Sequence, residues 1–111
     1  MQPKLFEKPV ETVDIEKVLL YALGDFQSRG KVLVNRELAF DRLRGAFMRA
    51  FAKFGIAELP EEQIVAALRR MGTNVTEVPT FIAKHPFRLT ISRSLADEAK
   101  KSFSLMKQNA A

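Results

Sequence analysis

Apolar side chains near the start of the chain recur at the three- and four-residue spacing of an amphipathic helix. The periodic segment covers residues 12–27 and predicts the first helix. Thr12 or Asp14 can cap its start, and Gly30 follows its end. Residues 31–34 are rich in β-branched side chains and too few for a helix, so they predict a short extended segment. The apolar positions of the helix are Ile15, Val18, Leu19, Ala22, Leu23 and Phe26.

A second helical pattern, rich in phenylalanine, runs from Asn35 to Phe54. Asn35 is a favoured N-cap residue, and Gly55 supplies a stop. Gly45 lies in the middle of the segment, where it permits a bend without requiring one. We expect this helix to be the spine of the core. Its apolar row consists of Phe40, Leu43, Phe47, Ala50, Phe51 and Phe54.

A third helix is predicted after Pro60, which suits a first helical position and is followed by two glutamates. Gly72 marks its end. Residues 55–59 are the whole connection to the second helix, and so short a link is typical of a helical hairpin or a helix-turn-helix. The expected buried stripe is Ile64, Val65, Leu68 and Met71.

The period of the pattern changes to two after the third helix. Residues 75–82 are rich in Val, Thr, Phe and Ile, and residues 87–92 alternate apolar and polar side chains. They predict a β-hairpin, and Pro79 places its first strand at an edge or at a bulge. Residues 94–97 are similar to a capping box with Asp in place of Glu and predict a last helix. Its apolar side carries Leu95, Ala99, Phe103 and Met106.

These elements predict an α+β fold, namely a small, mainly helical domain with a C-terminal β-hairpin and a closing helix. The 111 residues fit a single domain, residues 1–111, and 47% hydrophobic residues suffice for a core. We expect residues 1–10 and 108–111 to be flexible. Without cysteine, a disulfide-stapled scaffold is excluded. No apolar run reaches the length of a membrane span and no signal-peptide pattern opens the chain, so we expect a cytoplasmic location.

The order of elements resembles that of winged helix-turn-helix domains. Helix, short strand, two helices, hairpin and closing helix follow one another, and the resemblance covers residues 14–92. It implies that the short strand pairs with the hairpin, and that the third helix and the hairpin turn contact DNA. The segment 35–54 is about twice as long as the second helix of most such domains. Either it bends near Gly45, or the fold is another α+β arrangement.

Basic residues outnumber acidic residues by 18 to 13, and residues 29–56 alone carry seven basic and two acidic side chains. A second basic group surrounds the hairpin. Clustered cations favour nucleic acid because affinity comes mainly from counterion release along the phosphate backbone. We therefore expect binding to double-stranded DNA, in a regulatory role. The residues expected to carry it are Arg42, Arg49, Arg69, Arg70, Lys84, His85, Arg88 and Arg93.

The third helix argues against sequence-specific recognition of DNA. Glu61 and Glu62 occupy its N-terminal turn, the end that usually approaches base edges, and carboxylates there repel phosphate. Gln63 is the only amide side chain on this helix. The basic surface is therefore expected to contribute more than base readout.

Enzymatic chemistry has little support in the sequence. The single histidine, His85, lies in the predicted hairpin turn, and zinc or iron–sulfur spacings are absent. No glycine-rich phosphate loop or nucleophile elbow occurs. Two Ser-x-x-Lys matches lack their partner motifs, and the paired carboxylates lie at helix starts, where they offset the helix dipole. We expect no catalytic site, metal or cofactor.

Two alternatives to DNA binding remain open. The cations of the second helix can simply form the solvated face of an amphipathic helix. The chain can also be a non-enzymatic protein–protein interaction module or a small subunit of a larger complex. In that case the end of the closing helix would supply the interface, including one between two copies of the chain, through Phe103, Leu105 and Met106.

Overall fold

The computed structural model of the protein describes residues 14–79 and 87–109. Within these residues it is an α+β fold of four helices and a three-stranded antiparallel sheet, which confirms the predicted fold class. The residues expected to be flexible at 1–10, and the predicted hairpin turn at 83–86, lie outside the described residues. In chain order the elements are α1 (Ile15–Ser28), β1 (Glu37–Ala39), α2 (Phe40–Phe54), α3 (Glu61–Arg70), β2 (Asn74–Glu77), β3 (Phe87–Thr90) and α4 (Arg93–Asn109).

Helix α1 starts where the sequence indicates because Asp14 caps it. The Asp14 carboxylate accepts hydrogen bonds from the backbone N–H groups of Glu16 (3.0 Å) and Lys17 (3.4 Å). The other candidate cap, Thr12, lies outside the described residues. The helix continues without a break through Gly24, so this glycine does not end it.

The turn before α2 differs from the prediction. Asn35 has a left-handed backbone conformation (φ 55°), which asparagine adopts more readily than most residues, and it does not cap a helix. Its N–H group donates to the carbonyl of Ile91 at 2.8 Å. The predicted extended segment at 31–34 forms no strand and contributes only a single bridge, between Val34 and Ile91.

The prediction that the second helix begins at Asn35 is wrong, because residues 37–39 form β1. Glu, Leu and Ala favour a helix in isolation. Pairing with β3 overrides that preference, since it places Leu38 opposite Leu89 and buries both. Helix α2 then runs from Phe40 to Phe54 and stops at Gly55, which has a left-handed φ of 68°. It continues unbroken through Gly45.

The later helices follow the predicted pattern, with one change of cap. Helix α3 follows Pro60 as expected. Helix α4 starts at Arg93, and its cap is Ser92, whose Oγ accepts a hydrogen bond from the Leu95 N–H at 3.2 Å. The predicted capping role of residues 94–97 is wrong, because these residues already belong to the helix.

The sheet has the strand order β1-β3-β2, with both pairs antiparallel. Strand β3 is therefore central and β2 lies at an edge, which is one of the two alternatives that Pro79 indicated. Strand β2 ends at Glu77, however, so the predicted strand over 75–82 is too long and Pro79 lies after it. Leu89 pairs with Leu38 on one side and Val75 on the other, and this row faces the core. The strand residues on either side of this row, such as Arg88 and Thr90 of β3, point to the opposite face of the sheet, which is polar.

Helix α1 lies at the centre of the packing, against α4, α2 and α3. Its closest approach is to α4 at Gly24. A Cβ atom placed on Gly24 would lie 2.3 Å from the Cβ of Phe103 and 2.6 Å from the carbonyl oxygen of Ala99. No side chain larger than hydrogen fits between the two helices at this position.

We expect Gly24→Ala to lower the free energy of unfolding by about 1–3 kcal/mol, because the new methyl group forces α1 and α4 apart. Gly45→Ala is the matched control, since Gly45 is exposed within α2 and only the flexible end of Arg49 approaches its Cβ position. The control substitution should raise the free energy of unfolding by about 0.5–1 kcal/mol, because alanine has a higher helix propensity than glycine. Urea unfolding followed by circular dichroism measures both. Equal effects of the two substitutions would contradict the close crossing.

Candidate nucleic-acid interface

The arginines of this chain fall into two groups, according to whether a carboxylate holds them. The first group surrounds Asp25 on α1, whose side chain is only 10% exposed. Arg49 of α2 donates to its Oδ2 from Nη2 at 2.7 Å and from Nε at 2.8 Å. Arg29 Nε lies 3.2 Å from its Oδ1. Two charged partners therefore compensate a carboxylate that is otherwise removed from water.

Other cations on the helical side of the molecule are also engaged. Arg44 Nε donates to Asp41 Oδ1 at 3.2 Å, and Arg44 Nη2 lies 3.7 Å from Glu61 Oε1. The latter pair links α2 to the start of α3. Lys53 Nζ lies over the Tyr21 ring, 5.6 Å from its centroid. These are intramolecular contacts of solvent-accessible side chains, and the sequence alone does not indicate them.

The Tyr21 side chain of α1 lies near Asp25 and Arg29. Its ring packs against Phe54 and Phe103, with centroids 5.7 and 4.9 Å away. Burial raises the pKa of the Tyr21 phenol above its usual value, and the negative charge of Asp25 adds to that rise. The charge of Arg29 acts in the opposite direction.

Six arginines have no ion-pair partner among the described residues, and four of them lie at one end of the sheet. We call Arg36, Arg69, Arg70 and Arg93 the basic edge; all four are exposed. Within residues 14–79 and 87–109, none of the four forms an ion pair. Asp97 lies one helical turn beyond Arg93 but is not within ion-pair distance of it.

The topology of the sheet brings the basic edge together. Thr90 is the last residue of β3 and pairs with the first residues of both neighbours, Glu37 and Asn74. Arg36 directly precedes β1, and Arg93 follows β3 by three residues. Helix α3 ends at Arg70, four residues before β2 begins. Three chain segments therefore carry cations to the same end of the sheet.

The N-terminal turn of α3 has the opposite character. Glu61 has one oxygen near Arg44, while its Oε2 is buried and accepts no hydrogen bond from any described residue. Glu62 is exposed beside it. The N-terminus of α3, which is the positive end of its helix dipole, therefore carries two carboxylates. Arg69 and Arg70 lie in the last turn, where the negative end of the dipole favours cations.

The remaining predicted nucleic-acid contacts are not all in one place. Arg88 lies in the middle of β3 and is half-buried, and Arg42 is exposed in the first turn of α2. Ala39, which pairs with Arg88, is the residue from which α2 starts, so these two arginines lie towards the end of the sheet opposite the basic edge. Lys84 and His85 lie outside the described residues.

The interface predicted from the sequence includes Arg49 and omits Arg36. Arg49 is held by Asp25 of α1 and belongs to the first group of arginines. The polar residue Asp25 within an otherwise apolar face of α1 was the available signal for that contact. Arg36 could be placed only once the pairing of β1 with β3 was known.

The residues predicted for a protein interface differ in exposure. Phe103 is half-buried against Gly24 and Tyr21 of α1. Met106 is half-buried, and Leu105 is 56% exposed. A groove of about 300 Å³ runs beside Phe103, and its lining residues are Gly24, Gln27, Ser28, Lys100, Phe103 and Ser104.

Metal binding and membrane crossing can be assessed only for the part of the chain that the structure describes. In residues 14–79 and 87–109, no three His, Cys, Asp or Glu side chains come together as metal ligands. None of the helices there combines the length and hydropathy that a bilayer crossing requires.

We expect Arg49→Ala to lower the free energy of unfolding by about 1–2 kcal/mol, because Asp25 loses a charged hydrogen-bond partner in a largely buried position. Arg42→Ala on the same helix is the control. Arg42 is exposed and has no ion-pair partner among the described residues, so its loss should change stability by less than about 0.5 kcal/mol. Thermal unfolding of both variants measures this. Equal stability of the two would contradict the structural role of Arg49.

Comparisons with protein-family models, with curated proteins and with solved structures find no match to this chain. Its function is therefore inferred from the arrangement of its own residues.

Proposed function

We propose that this protein binds nucleic acid, and that it holds double-stranded DNA through the basic edge. The observation that carries the proposal is the division of the arginines. Arg29, Arg44 and Arg49 each have a carboxylate partner, whereas the other six arginines have none among the described residues, and four of these six form the basic edge. Exposed cations that share one surface and no internal partner supply the counterion-release energy that DNA binding requires.

The pairing of β1 with β3 supports the winged-helix resemblance, although the paired segment is 37–39 and not 31–34, and α2 continues unbroken through Gly45. In a winged helix, α3 would approach the DNA together with the hairpin. The acidic first turn of α3 opposes base readout through its N-terminus, while Arg69 and Arg70 in the last turn suit phosphate contact. We therefore propose binding that depends mainly on the backbone of the duplex and only weakly on its sequence.

The salt dependence of binding tests this proposal. Four phosphate contacts correspond to a slope of about −4 in a plot of log K against log salt concentration. Fluorescence anisotropy with a mixed-sequence duplex should therefore show a loss of about 250-fold in affinity between 50 and 200 mM salt. Arg69→Ala/Arg70→Ala and Arg36→Ala/Arg93→Ala should each reduce the magnitude of the slope by about 2.

Lys101→Ala/Lys107→Ala is the matched control for these double variants. It removes the same net charge from exposed positions further along α4. Lys107 lies about 21 Å from Arg93 at 1.5 Å per helical residue. The control should keep the slope of the original protein. A slope that falls equally in all three variants, or a protein that does not bind the duplex even at low salt, contradicts binding at the basic edge.

A protein–protein interaction module is the second candidate, and the exposure of Leu105 favours it. A leucine that remains 56% exposed on a closing helix, next to the half-buried Met106, suits an apolar contact with a partner. Affinity at such a contact would change little with salt, whereas duplex binding through phosphate contacts would weaken steeply as salt rises. Sedimentation of the full chain at micromolar concentration tests self-association.

A further inference from the structure

The solvent face of the sheet adjoins the basic edge and carries donors that the fold does not use. The residues that point to this face are Glu37 and Ala39 of β1, Arg88 and Thr90 of β3, and Asn74 and Thr76 of β2. They form two rows across the strands. None of their side chains forms a hydrogen bond or an ion pair with another described residue.

Arg88 is the central charge of this face. In its row it lies between Ala39 on β1 and Thr76 on β2, one with a small side chain and the other with a neutral hydroxyl. Neither neighbour compensates its charge. A guanidinium in this position, beside a hydroxyl that can also donate, is suited to a phosphate oxygen.

The solvent face of the sheet lies next to the basic edge, and residues of the two are also close together in the sequence. Arg88 and Arg93 are five residues apart, which is at most about 16 Å along an extended chain. A separation within this limit allows one DNA backbone to contact both arginines. Arg42, three residues after Ala39, extends the cationic surface at the opposite end of the sheet.

Glu37 is the exception on this face. It is exposed, it pairs with Thr90 in the second row, and it lies between Arg36 of the basic edge and Arg88. Its carboxylate has no ion-pair partner among the described residues. On a path followed by phosphates, this negative charge would oppose binding.

We propose that the phosphate backbone of the DNA continues from the basic edge across the solvent face of the sheet, where Arg88 binds it and Glu37 weakens the binding. The inference depends on the proposed function and adds a second contact surface to it. The duplex then crosses the strands of the sheet and is not confined to the end of α3.

Glu37→Gln tests the inference by a gain of binding. The substitution removes one negative charge and keeps the shape of the side chain, and Glu37 makes no contact that the fold needs. We expect affinity for the duplex at low salt to rise about 3- to 5-fold, the effect of one unit charge near phosphates in a watery surface. Arg88→Ala should weaken binding and reduce the salt slope by about 1, while Arg88→Lys should keep the slope.

Glu77→Gln is the matched control, since it removes the same charge from the same sheet. Glu77 is exposed on β2 but pairs with Phe87, in a row that points away from the solvent face. It should leave affinity nearly unchanged. If the two glutamine variants bind equally and Arg88→Ala retains full affinity, the sheet face is not on the path, while binding at the basic edge stands. If the unmodified chain does not bind the duplex at all, both proposals fail.

Discussion

The other three helices pack around α1, and this packing determines which charged side chains must be paired within the fold. One half of the residues of α1 are buried, including a glycine and a carboxylate in addition to its apolar side chains. Gly24 is buried because α4 crosses so closely that no Cβ atom fits. Asp25 is buried next to it, and removal of its carboxylate from water must be offset by charged partners. Arg29 and Arg49 supply them.

The ion pairs of Asp25 with Arg29 and Arg49 affect which cations are free to bind a partner. Arg29, Arg44 and Arg49 form ion pairs with Asp25, Asp41 and Glu61. The other six arginines have no ion-pair partner among the described residues, and four of them lie at one end of the sheet. The net charge of +5 does not show this division. The proposed DNA surface follows from the division more than from any single residue.

The parts of the fold that depend on local signals could be predicted from the sequence. The cap at Asp14, the stop at Gly55 and the change to period two at the hairpin each have a local cause. Strand β1 could not be predicted, because its residues favour a helix and only pairing with the distant Leu89 makes them extended. The same limit applies to the site: charge clustering identified basic segments, but it could not distinguish Arg49, held by a carboxylate across the core, from free cations.

The most direct test of the account is an NMR titration of the full chain with a short duplex at low salt, followed through the backbone amides. The account predicts shift changes concentrated at Arg36, Arg70, Arg88 and Arg93, with the amides around Arg29 and Arg49 unchanged. Changes concentrated instead along the groove between α1 and α4, or around Asp25, Arg29 and Arg49, would contradict the division of the arginines on which the proposed function rests.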